Sequence, residues 1–143
     1  MNSIATRFFA TGAIFALCGM VWGMQMAATD DHLLAPAHGH LNLIGFVAMS
    51  VMGAYYAVSE QAALSKLARI HYWLMVVTVL VFAPGIALAI LGISMVLALI
   101  GSMLAFGSMA LFAFIVVRHG AIRRSDLEAR SVSLLGNEVS RTN

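Results

Sequence analysis

Two imidazoles stand two residues apart in the stretch Ala35-Pro36-Ala37-His38-Gly39-His40-Leu41-Asn42-Leu43-Ile44-Gly45, where a polar loop gives way to an apolar run. An imidazole serves as a metal ligand, a proton carrier or a polar packing residue, and its surroundings decide which. Pro36 is suited to the first turn of a helix, where its missing N–H costs nothing. On a helix, ~100° per residue turns the side chain of His40 by ~200° from that of His38. The two then point to opposite sides and cannot easily grip one metal ion. A strand would aim both at the same ion, but the apolar run that follows reads as a membrane helix. The pair therefore predicts two ligand sites, one on each side of the helix. A plain polar role stays open beside it, because both residues fall near the end of a span, where water can solvate them.

The elements that must position this pair follow from composition. Hydrophobic residues make up 62% of the 143 residues and charged residues only 10%. The six carboxylates (Asp30, Asp31, Glu60, Asp126, Glu128 and Glu138) all fall outside the long apolar runs. A spanning helix needs about 20 apolar residues, and several runs meet that length. The sequence thus predicts an all-α integral membrane protein with four transmembrane helices, at about 4–28, 36–58, 69–91 and 95–117, within a domain covering 1–118. A polar tail occupies 119–143, in which Leu127, Val132, Leu134 and Leu135 could form a weak interfacial helix. Arg7 and the run after it could also pass for a secretory signal peptide, but its length favours a retained span. Gly19 and Gly23 form a small-xxx-small pair suited to close helix contact. Cys18 stands alone, so no disulfide framework exists within the chain. The net charge of +2 gives no sign of nucleic acid as a partner, since the basic residues sit at segment ends.

Charge also sets an orientation. Arg7, the Lys66/Arg69 loop and the arginine-rich tail share one side, whereas the loop 29–35 carries no Lys or Arg. The positive-inside rule then places both termini in the cytoplasm, in a bacterial inner membrane, with His38 and His40 at the outer end of the second span. His71 falls at the opposite interface beside Tyr72 and Trp73, where an aromatic belt accounts for it. His119 adjoins the arginines and reads as solvated. His32 follows Asp30 and Asp31 in the outer loop.

The order of these motifs resembles the heme-copper oxidase catalytic subunits. The carriers are His38-Gly39-His40, an apolar helix ending Tyr55-Tyr56, and then Ile70-His71-Tyr72-Trp73-Leu74 opening a helix with Pro84 partway along. The resemblance covers roughly 36–92, under half of the chain. It implies heme. In that family the first His of the pair binds the iron of the active-site heme and the second binds a low-spin heme across the helix, and His38 and His40 match these positions. The family's subunit has about twelve helices in three quasi-equivalent arcs of four, so this chain corresponds to one arc. It lacks the further histidines of the family's copper centre and the early histidine of its low-spin heme, so a single copy cannot be a complete oxidase.

Three functional expectations follow. The first is a heme b protein whose low-spin bis-histidine heme lies between subunits of a homo-oligomer, a trimer by the arc analogy, serving electron transfer with a redox partner or sensing a gas. The second is an enzyme subunit, a minimal oxidase or nitric oxide reductase relative, which would need an open iron position, a second metal such as copper, and a proton route. The third is a copper or zinc site on the outer face built from His32, His38 and His40.

Overall fold

The computed structural model describes residues 3–120 and 132–133. No strand occurs among them, and the long helices are α1 (Ser3–Thr29), α2 (Ala35–Val58), α4 (Lys66–Ile90) and α5 (Val96–His119). A short helix, α3 (Glu60–Leu64), lies between α2 and α4. The four long helices hold 24 to 27 residues each and are apolar enough to cross a membrane. The chain is an all-helical membrane protein. The expected interfacial helix of the tail lies outside the described residues, apart from 132–133.

Helix ends are set by local chemistry. The Oγ of Ser65, an extended residue, accepts the backbone N–H of Ala68 at 3.2 Å and starts α4. That start precedes the sequence expectation by three residues, because a cap and a polar first turn carry no apolar signal. Pro84 lies inside α4 without ending it. The chain turns at Gly92, whose φ of +71° suits a residue without Cβ. At the other turn Asp30 takes φ +52°, and the Asp31 carboxylate accepts the N–H of Leu33 at 3.0 Å, holding the loop that leads into α2.

In lipid, burying an apolar side chain between helices removes none of it from water, so helices associate through close van der Waals packing and small residues at their contacts. Helix α2 packs against α1 and α4, and α4 packs extensively against α5. A Cβ on Gly101 would press on the Phe82 backbone, and one on Gly85 on the backbone of Leu97 and Ala98. A Cβ on Gly12 would reach only ordinary contact, 3.4 Å from the Gly45 carbonyl oxygen and 3.6 Å from Met49 Cβ. Gly107 differs, since a Cβ there would meet nothing.

Packing is uneven along the bundle. Buried side chains gather where α1 and α4 begin and α2 and α5 end, among them Phe8, Met49, Met52, Tyr56, His71, Met75 and Ile115. The end beyond the 30–34 loop buries far less, with Ala37, Met26 and Ala83 its main apolar contributions. There α1, α2 and α4 leave an apolar cavity of about 320 Å³ between Phe15, Trp22, Leu41, Leu80 and Pro84.

Candidate functional site

His38 and His40 sit in the first turns of α2, three residues after the helix begins. They do point apart. The His38 ring lies edge-on to Trp22 of α1, with centroids 6.1 Å apart and planes at 87°, and against Gly23. The His40 ring lies 5.3 Å from Phe82 of α4, at 74°. One helix thus sends its two imidazoles to two different neighbours, and both remain half-exposed.

The rings differ in what their nitrogens do. His40 Nδ1 lies 2.8 Å from the Pro36 carbonyl oxygen. A carbonyl only accepts, so Nδ1 carries the hydrogen and the lone pair of the neutral ring is on Nε2. Ligating histidines are commonly fixed in this way, with one ring N–H on a backbone carbonyl and the other nitrogen facing the metal. His38 is engaged instead. The Asn42 Nδ2 donates to the His38 carbonyl at 3.0 Å and lies 3.3 Å from His38 Nε2 and 3.5 Å from Nδ1. Residues one turn apart share a helix face, which is why Asn42 reaches both.

Two glycines of α1 make room for this face of α2. A Cβ on Gly19 would overlap the Asn42 amide, and one on Gly23 would come 3.2 Å from His38 Cε1. The small-xxx-small pair therefore accepts two polar side chains rather than a smooth helix seam. Directly after Asn42, residues Leu43–Ala48 widen into a π-helical segment. Such segments recur at functional sites, and this one lies within a turn or two of both histidines.

The remaining histidines behave differently. His71 is fully buried, so an enclosed box takes the place of the interfacial aromatic belt expected for it. Its ring stacks on Phe112 at 5.5 Å and 16°, with Phe8 at 5.5 Å. Its Nδ1 shares a 2.9 Å hydrogen bond with the Tyr56 hydroxyl, and its Nε2 has no partner. Side chains from three helices enclose it: Phe8 of α1, Tyr56 of α2 and Phe112 of α5. His119 is half-buried at the end of α5, with no partner for Nε2. His32 is exposed, 3.9 Å from an Asp30 carboxylate oxygen.

Among the described residues, no three His, Cys, Asp or Glu side chains gather in a way that could hold a metal ion. His32, His38 and His40 are therefore not brought together as the outer-face copper or zinc site would need. Comparison of the chain with family descriptions, with curated proteins and with solved structures returned no match.

Proposed function

We propose that this membrane protein binds heme b, with low-spin iron held between one histidine of one copy and another of a neighbouring copy, and that it transfers electrons or senses redox state. The observation that carries the reading is the His38/His40 divergence, with the His40 ring locked by Pro36 so that Nε2 is free. Two imidazoles on opposite sides of one helix cannot face each other across one iron, so a second chain must supply the opposing ring. Between them, the apolar outward face of α2, formed by Leu43, Phe46, Val47 and Val51, is exposed and free to meet the same face of other copies. Closed symmetry is the usual state of homo-oligomers, and the resemblance to one arc of the heme-copper oxidase subunit favours three copies. Charge distribution favours a bacterial inner membrane with both termini cytoplasmic.

The donor set suits the group unevenly. His40 is arranged as a ligand, whereas His38 must exchange its Asn42 contact for iron. When bound, heme supplies a one-electron couple whose potential responds to its axial ligands and to burial. The chain's own part is to fix the His40 tautomer through Pro36, to hold His38 against Gly23 and Trp22, and to surround both with apolar helix. No carboxylate lies inside a span to carry protons, which sets the electron-transfer reading ahead of the oxidase one.

Purification from heme-replete cells tests the reading. The ferrous protein is expected to show sharp α and β bands and to bind carbon monoxide poorly, since both axial positions carry imidazole. A colourless preparation overturns heme binding. Rapid stoichiometric carbon monoxide binding overturns the bis-histidine arrangement and favours an open-site sensor or enzyme. Mass measurement of a heme-binding monomer overturns the shared site.

A further inference from the structure

At the end of the bundle opposite the histidine pair, α1 and α4 both begin, and between their first turns lies a pocket of about 260 Å³. Arg7 of α1 and Arg69 of α4 line it from two sides, with Ser3 and Leu64 on its wall. No carboxylate lines this pocket, and neither arginine has an ion-pair partner among the described residues. Placing two guanidinium groups at one pocket costs energy by mutual repulsion, most of all where lipid lowers the dielectric constant. The two helix amino termini add partial positive charge in the same direction. The Ser65 hydroxyl contributes nothing further, because it donates to the Ala62 carbonyl at 2.7 Å while accepting from Ala68.

We infer that Arg7 and Arg69 form a binding site for a phosphate anion, presented by the headgroup of an anionic phospholipid. Depth supports the source. With 27 residues α1 runs ~40 Å, which exceeds a hydrocarbon core of ~30 Å, so its ends reach headgroup level. Arg7 and Arg69 each lie about one turn inside their helices, where a lipid phosphate sits just above its acyl chains. Guanidinium groups match phosphate by paired N–H donors, and Ala63 and Leu64 give the pocket an apolar wall beside them that suits the glycerol of a lipid. The inference is independent of heme binding.

The test measures selectivity for spin-labelled phosphatidylglycerol over phosphatidylcholine around the full-length protein in bilayers. The wild-type chain is expected to prefer phosphatidylglycerol, with each arginine contributing about fivefold. Arg7→Gln and Arg69→Gln are each expected to remove their share, the double variant to remove the preference, and Arg7→Lys to keep most of it. Arg118→Gln, at the same end but outside the pocket, is expected to leave selectivity within about twofold. Equal binding of the two lipids overturns the site, and so does an Arg118→Gln loss as large as that of Arg7→Gln, which would indicate diffuse surface charge. Displacement of the labelled lipid by millimolar inorganic phosphate would overturn the lipid source and assign the pocket to a soluble phosphate.

Discussion

The two ends of the bundle treat an imidazole in opposite ways. At one end His71 is sealed among Phe8, Tyr56 and Phe112 and bonded to Tyr56 at 2.9 Å. At the other, His38 and His40 lie half-exposed beside an apolar cavity of about 320 Å³, with thin packing around them. A histidine closed on every side can stabilise a fold, but a ligand cannot reach it without unpacking the helices. A histidine with one nitrogen fixed and the other open costs the fold little and leaves a lone pair to use. Burial alone would single out His71, while accessibility and tautomer single out His40.

The sharpest way to break this contrast is to remove each imidazole in turn. His40→Ala or His38→Ala is expected to lower the heme content of purified protein at least roughly tenfold, since loss of a ligand exceeds loss of a supporting contact. His71→Ala is expected to leave the absorption bands of any folded protein in place. Heme bands lost with His71→Ala and kept with His40→Ala would reverse the assignment of the two ends. Mixing His38→Ala and His40→Ala chains extends the test, because a shared site should recover some intact ligand pairs that neither variant has alone.

Next in size are the glycines that set helix distance. Gly101→Ala drives a methyl into the Phe82 backbone, and overpacking of this kind costs about 1–3 kcal/mol. Gly107→Ala meets nothing and is expected to be neutral or stabilising by up to ~1 kcal/mol through helix propensity. Thermal melts in detergent separate them. Because Phe82 touches the His40 ring, Gly101→Ala is also expected to perturb the heme bands, and Gly107→Ala is not.

At the sealed end, Tyr56→Phe leaves a second nitrogen of His71 without a partner, at a cost of about 1–3 kcal/mol. Tyr56→Phe combined with His71→Phe removes both partners and is expected to cost less than the sum of the single changes. Additive losses in that cycle would show that the 2.9 Å bond contributes little.

Much of this was legible before any coordinates. Apolar run lengths marked four spans, and Pro36 marked the start of the one with the histidine pair. The divergence of His38 and His40 follows from the helical repeat, which holds there because the π segment begins only at Leu43. That segment was not legible, since Leu-Ile-Gly-Phe-Val-Ala has the composition of any span. Gly19 and Gly23 were visible as a pair, but a single sequence does not say which side chains they face. The burial of His71 is not legible, because its neighbours in sequence, Tyr72 and Trp73, also suit an aromatic belt at the interface. What encloses it comes from Phe8 and Phe112, more than 40 residues away on other helices.

The smallest effect concerns the asymmetry within the histidine pair itself. Asn42 holds His38 through its amide, 3.3 Å from Nε2, whereas His40 Nε2 is free. If His38 ligates through Nε2, that amide contact must break first, and a neutral hydrogen bond is worth about 1 kcal/mol net. Asn42→Ala removes the competitor and is expected to tighten heme binding by about fivefold, read by titration of apoprotein with hemin. His38 should keep its place meanwhile, because Gly23 and Trp22 still flank its ring. Weaker binding in Asn42→Ala would mean that the amide positions His38 for iron rather than occupying it, and the two rings would then be equally prepared.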